Sequence, residues 1–207
     1  MKPVEFLFDF GSPNAYLAHK VIPAIEARTG APFVYVPILL GGVFKLTHNR
    51  SPIEQFKDIP SKLRYQQIEI ERFVRKHRIE AFRWNPHFPV NTVQVMRGAI
   101  AADMDGLLKP YADAVFHHMW EARKKMDESE TIRTALRESG LDADRILARI
   151  QDQDVKDALL RNTEAAVARG VFGSPTFFVG DEMFFGKDRL REVEEEILAG
   201  AEHAGGR

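Results

Sequence analysis

Apolar and polar positions along this 207-residue chain change period twice. Residues 4–10, VEFLFDF, form a Phe- and Val-rich run that stops at Gly11, as a buried strand does. Ser12-Pro13 then opens a helix. Serine is a favoured N-cap, and proline fits the first helical position because its missing N–H had no partner there. Ala15, Leu17, Ala18, Val21, Ile22, Ile25 and Ala27 carry an apolar stripe as far as Thr29, where Gly30 suits the C-terminal cap. Pro23 lies inside and is expected to bend or interrupt this helix. Residues 33–39, FVYVPIL, read as a second strand, with Pro37 putting its end at a sheet edge.

Beyond these, the period becomes helical. A helix spans 60–78, with Leu63, Ile68, Ile70 and Phe73 as inward candidates, and a proline-bearing loop follows at 82–92. Further helices are expected near 92–106, 109–127, 130–139, 143–150 and 154–169. Strand character returns at 175–179 (PTFFV), followed by a Gly180-Asp181 turn and 182–185 (EMFF), a two-residue hairpin. A last helix runs from Lys187 to about Leu198. This order predicts an α/β chain: a thioredoxin-like domain made of 1–41 and 166–207, with 42–165 inserted as an all-helical subdomain.

Composition narrows the chemistry. Lys and Arg number 29 against 30 Asp and Glu, for a net charge of −1 and a pI near 6.7. That balance argues against a general nucleic-acid or anionic-membrane binder. Hydrophobic residues make up 44%, enough for a real core. Cysteine is absent, which removes disulfides, thiolate metal sites and any cysteine nucleophile of the chain's own. No apolar run reaches the roughly 18 residues of a membrane span. The N-terminal MKPVEFLFDFGSP is interrupted by Glu5 and Asp9 and has no cleavage signature, so a cytoplasmic location is expected.

Three short motifs could carry chemistry. Ser12 sits at a strand-to-helix turn, beside unsatisfied N–H groups and the positive end of a helix dipole, where an anion is stabilised. Taken alone, its hydroxyl need only cap the helix. Gly173-Ser174-Pro175-Thr176 leads into a strand through an X–Pro bond that could be cis, leaving Ser174's backbone free for an extended peptide. The plainer reading is an ordinary turn. Lys187-Asp188 opens the last helix, and Asp188 either serves the dipole or faces a ligand ammonium. His117 and Glu121 share a helix face, but no third ligand is signalled and no metal site is expected. Trp84 and Phe88 are either core or the wall of an aromatic pocket.

FDFGSPNAYLA near the start and VFGSPTFFVGDEMFFGKDRL near the end together resemble the 2-hydroxychromene-2-carboxylate isomerases. These are relatives of the kappa-class glutathione transferases and, more distantly, of the DsbA-like oxidoreductases. The resemblance implies glutathione as cofactor, a small aromatic 2-oxo acid as substrate, reversible addition of the glutathione thiolate as mechanism, and a homodimer. It makes Ser12 the catalytic serine beside the glutathione sulfur, standing where redox relatives have their first cysteine; Ala15 stands where they have the second. Pro13 and Asn14 flank the same site. Ser174, before Pro175, matches the residue that holds the cysteinyl backbone. Lys187 and Asp188 match the pair that grips the γ-glutamyl end, while Asn49 and Lys62 match further glutathione contacts. Gly11 replaces a larger apolar residue and Asn14 an aromatic, departures expected to alter the acceptor pocket; Ser174 replaces Val or Leu. The rivals are a kappa-type transferase or peroxidase and a cysteine-free binding module. Dithiol oxidase chemistry is excluded by composition.

Overall fold

A computed structural model describes residues 3–205, with side chains through residue 200. The chain runs β1 (Val4–Phe8), α1 (Pro13–Thr29), β2 (Phe33–Pro37), eight helices α2 (Leu40–Thr47), α3 (Pro52–Gln55), α4 (Pro60–His77), α5 (Val93–Met104), α6 (Leu108–Trp120), α7 (Ser129–Glu138), α8 (Ala143–Arg149) and α9 (Gln153–Ala168), then β3 (Thr176–Val179), β4 (Glu182–Phe185) and α10 (Leu190–Gly205). A 3₁₀ turn, Lys187–Arg189, precedes α10. The sheet order is β2-β1-β3-β4. β1 and β2 pair in parallel, with Phe6 opposite Tyr35, and β3 lies antiparallel to β1, with Phe6 opposite Phe177. β3 and β4 form the expected hairpin, and Pro37 does lie on an edge strand. This is the thioredoxin-like sheet that the pattern predicts.

Sheet and helices share a large core, and a smaller cluster of Leu7, Ile38, Val43, Ala166, Val171 and Phe178 packs separately. Phe6, Phe8 and Phe10 are fully buried and meet Phe177, Phe116 and Tyr111 edge-on or stacked. Trp120 of α6 donates from Nε1 to the Phe10 carbonyl at 2.8 Å. Helix–helix approach inside the block is close: a Cβ on Gly98 of α5 would stand 2.1 Å from the Tyr111 hydroxyl.

Several boundaries differ from expectation. α1 runs unbroken through Pro23, which lies on its exposed face, where the ring meets no core. Ala27 and Ile68, expected inside, are exposed. α6 stops at Trp120 rather than near 127. The Asn85 amide takes the Met119 carbonyl at 2.8 Å, and the Arg83 N–H takes that of Trp120 at 2.7 Å. With its last acceptors claimed from outside, the helix has nothing to propagate into. α2 and α3 were not anticipated as separate helices. α2 has no side-chain cap of its own; its Leu40 N–H donates instead to Asp9 Oδ2, thirty-one residues upstream, at 2.7 Å. Among the described residues no helix is long and apolar enough to cross a membrane.

Candidate active site

Ser12 is the N-cap of α1, in extended conformation, with Pro13 as the first helical residue. Its Oγ accepts from the Ala15 N–H at 3.2 Å and donates to the Ser174 carbonyl at 2.8 Å. Both serines are buried, at 5% and 8% exposure. The Ser174-Pro175 bond is cis, and Ser174 Oγ accepts from the Asp9 N–H at 3.1 Å. Two motifs 162 residues apart in sequence thus form one hydrogen-bonded unit. Asn14 follows Pro13 on α1 and is half-buried.

Beneath this unit lies Asp9, which is wholly buried. Its carboxylate accepts from the Gly11 N–H at 2.8 Å, the Leu40 N–H at 2.7 Å and the Thr92 hydroxyl at 3.1 Å. Its carbonyl accepts from the Ser12 N–H at 3.0 Å. Burial pushes the Asp9 carboxyl above its ordinary 3.8, against the pull of those three donors. One residue therefore ties the Ser12 turn to Ser174, to the start of α2 and to the start of α5. Sequence reasoning used Asp9 only as an interruption of an apolar run. A carboxylate inside a strand otherwise buried is itself the signal, since such a group needs donors on all sides. Gly11 belongs to the same cluster. An added Cβ would lie 3.1 Å from the Thr92 methyl and 3.3 Å from Asp9 Oδ1. The place of the absent side chain is taken up by Thr92 and the Asp9 carboxylate.

The remaining predicted residues are joined to this unit less directly. Pro175 accepts at its carbonyl from the Gly186 N–H at 2.9 Å, which brings the Lys187–Asp188 turn alongside. Gly186 has φ 96°, a conformation that favours glycine. Lys187 is 3% exposed. Its ammonium bonds both Asp188 oxygens at 2.7 and 2.8 Å and lies 5.0 Å over the Phe73 ring. The pair, expected to grip a ligand, grips itself here, on the lip of a cleft of about 450 Å³ that Ile25, Phe73 and His77 also line. Asn49, just beyond α2, donates to the Phe172 carbonyl at 3.0 Å and so reaches the segment leading to Ser174. Lys62 stands apart: it is exposed, in the first turn of α4, with its ammonium 4.2 Å over the Phe56 ring. His117 Nδ1 and Glu121 Oε2 lie 2.9 Å apart as a hydrogen-bonded pair, and Glu121 also accepts from the Tyr16 hydroxyl at 2.9 Å. Trp84 and Phe88 pack against each other and against Trp120.

Known proteins resemble this chain over nearly its whole length. The chain is 27% identical to a 2-hydroxychromene-2-carboxylate isomerase of Sphingobium xenophagum, over 95% of its own length and 98% of that protein. It is 26% identical to glutathione S-transferase kappa 1 of Rattus norvegicus, covering 95% and 88% of the two chains. A solved structure of a 2-hydroxychromene-2-carboxylate isomerase superposes with a TM-score of 0.85 at 25% identity, over 99% of this chain and 98% of that one. These relatives are enzymes, and the resemblance read from the two motifs is borne out. Residues 3–198 match the DSBA-like thioredoxin domain, and the chain belongs to that family.

Proposed function

We propose that this protein is a glutathione-dependent isomerase of an aromatic 2-oxo acid, of the 2-hydroxychromene-2-carboxylate type. The observation that carries the reading is the Ser12–Ser174 contact, which joins a hydroxyl at a helix N-terminus to a buried carbonyl at a strand start. These groups suit a peptide thiol. The hydroxyl and the first-turn N–H groups of α1 favour negative charge on sulfur, and the Ser174 backbone offers pairing to a cysteinyl residue. Lys187 and Asp188 offer one charge of each sign to an amino-acid headgroup, with Asn49 and Lys62 flanking. When bound, glutathione supplies the nucleophilic sulfur that the cysteine-free chain lacks. Ser12 then orients and stabilises that sulfur, and the buried Asp9 network keeps the Ser12 turn in place. The same reading takes 1–41 with 166–207 as the unit that carries Ser12 and Ser174. The inserted block 42–165 carries Asn49 and Lys62.

Ser12→Ala, assayed at saturating glutathione on a chromene carboxylate, is expected to lose about 10²-fold in kcat, as loss of an oxyanion-hole donor does. Unaltered turnover overturns the assignment. The likeness to kappa-class transferases favours one second reading, a transferase on the same glutathione site. Conjugation of chlorodinitrobenzene without chromene isomerisation would select it.

A further inference from the structure

The Ser12 hydroxyl has a single proton, and the structure shows where it goes. A carbonyl can only accept, so at 2.8 Å the proton lies on the line to the Ser174 oxygen. One lone pair of Ser12 Oγ is already engaged by the Ala15 N–H. The hydroxyl as it stands therefore has nothing to donate to a sulfur. If it turned away unaided, it would leave the Ser174 carbonyl, in a residue only 8% exposed, without its donor, and an acceptor stranded in that way is costly.

Resting on the glutathione reading above, we propose that the Ser12 hydroxyl is latched to the Ser174 carbonyl in the ligand-free protein, and that a thiol ligand releases it by placing its own neighbouring amide N–H on that carbonyl. The cysteinyl residue of a peptide thiol carries both groups, sulfur and amide, a few bonds apart. A simple thiol carries only the first and leaves the latch closed. The device selects peptide thiols over simple ones, and it holds the anion-stabilising donor in reserve until the right ligand is seated. The fold holds the two partners at this distance: Asp9 fixes Ser12 through its carbonyl and the Gly11 N–H, and fixes Ser174 through its own N–H.

The test measures glutathione affinity by calorimetry for wild type and Ser12→Ala at pH 6 and pH 9.5, either side of a thiol pKa of about 8.5. At pH 6 the ligand is a thiol and wild type must give up an internal bond that the variant lacks. Ser12→Ala is expected to bind about threefold or more tighter there, and about tenfold or more weaker at pH 9.5, where only wild type can donate to a thiolate. The ionisable neighbours, Asp9 below the turn and Lys187 and Asp188 beyond Pro175, are present in both proteins, so the two are compared at the same pH in each arm. Equal or weaker binding by the variant at pH 6 overturns the latch while leaving the glutathione site standing. Failure of both proteins to bind glutathione at either pH removes the functional reading and the latch together. Since alanine is a poor N-cap, Ser12→Gly, far better tolerated there, repeats the measurement and is expected to show the same reversal.

Discussion

At the Ser12–Ser174 end of the site, Asp9, Ser12 and Ser174 are buried and each has at least one partner in a distant part of the chain. Along the stretch from α2 into α4, which carries Asn49 and Lys62, side chains are mostly exposed, and Lys62 rests on a near neighbour while Asn49 reaches far, to the Phe172 carbonyl. Asp9 shows the first pattern, with partners two, thirty-one and eighty-three residues away. The second shows in Leu46, Ile53 and Tyr65, large apolar residues left 46%, 47% and 56% exposed, and in Lys62, whose nearest ring is only six residues back. The contrast teaches a division of labour. At one end the polar groups are already bonded within the fold; the other leaves more of its side chains exposed and so has groups to spare for binding.

Substitutions can break or sharpen that contrast, beginning with Asp9→Ala. It strands the N–H groups of Gly11 and Leu40 and the Thr92 hydroxyl, at roughly 1–3 kcal/mol for each buried group, so a total loss of about 3 kcal/mol or more is expected in urea unfolding. A loss under about 1 kcal/mol would mean that the buried end is no better fixed than the arm. Thr92→Val removes one donor while keeping the shape, and about 1 kcal/mol should be lost at pH 7. Its pH dependence carries a sign. Burial holds the folded Asp9 pKa above 3.8, so ionising Asp9 costs stability as pH rises from about 4 through the folded value. Losing the Thr92 donor makes ionisation costlier. The gap between wild type and variant should therefore widen from pH 4 to pH 7; a gap that narrows would assign the Thr92 contact another role.

On the arm, Asn49→Ala removes one partly exposed bond to Phe172, and thermal or urea unfolding should register no more than about 0.5–1 kcal/mol. Lys62→Ala is expected to leave stability within about 0.5 kcal/mol of wild type while weakening glutathione binding in calorimetry. The reverse result, a stability loss with affinity intact, would make Lys62 a structural residue and dissolve the division.

β1, the Ser12-Pro13 helix start, the Gly30 stop and the Gly180-Asp181 hairpin were legible because each signal is local: a run, a cap, a turn residue. Ser12, Pro13, Ser174 and Pro175 were legible locally only as punctuation at element ends; it was the family resemblance of the two motifs together that made them site residues. The end of α6 and the existence of α2 were not. Asn85 and Arg83 end the one, Asp9 caps the other, and no neighbouring residue announces either. Asp9 itself stands in plain view in FLFDF, but its donors come from Gly11, Leu40 and Thr92, and their convergence is a property of the folded chain.

The amino-acid order by itself determined that this chain builds a mixed sheet around a Phe-rich strand, that it has no thiol of its own, and that hydroxyls stand at two element ends. Only the tertiary structure decided that the Ser12 hydroxyl donates to the Ser174 carbonyl, that the Ser174 hydroxyl accepts from the Asp9 N–H, and that the buried Asp9 carboxylate holds the turn between them. The reason is physical. Backbone propensity and capping act over a few residues, whereas a buried hydrogen bond is chosen by whatever donors and acceptors the packing of distant segments leaves within 3 Å or so of each other.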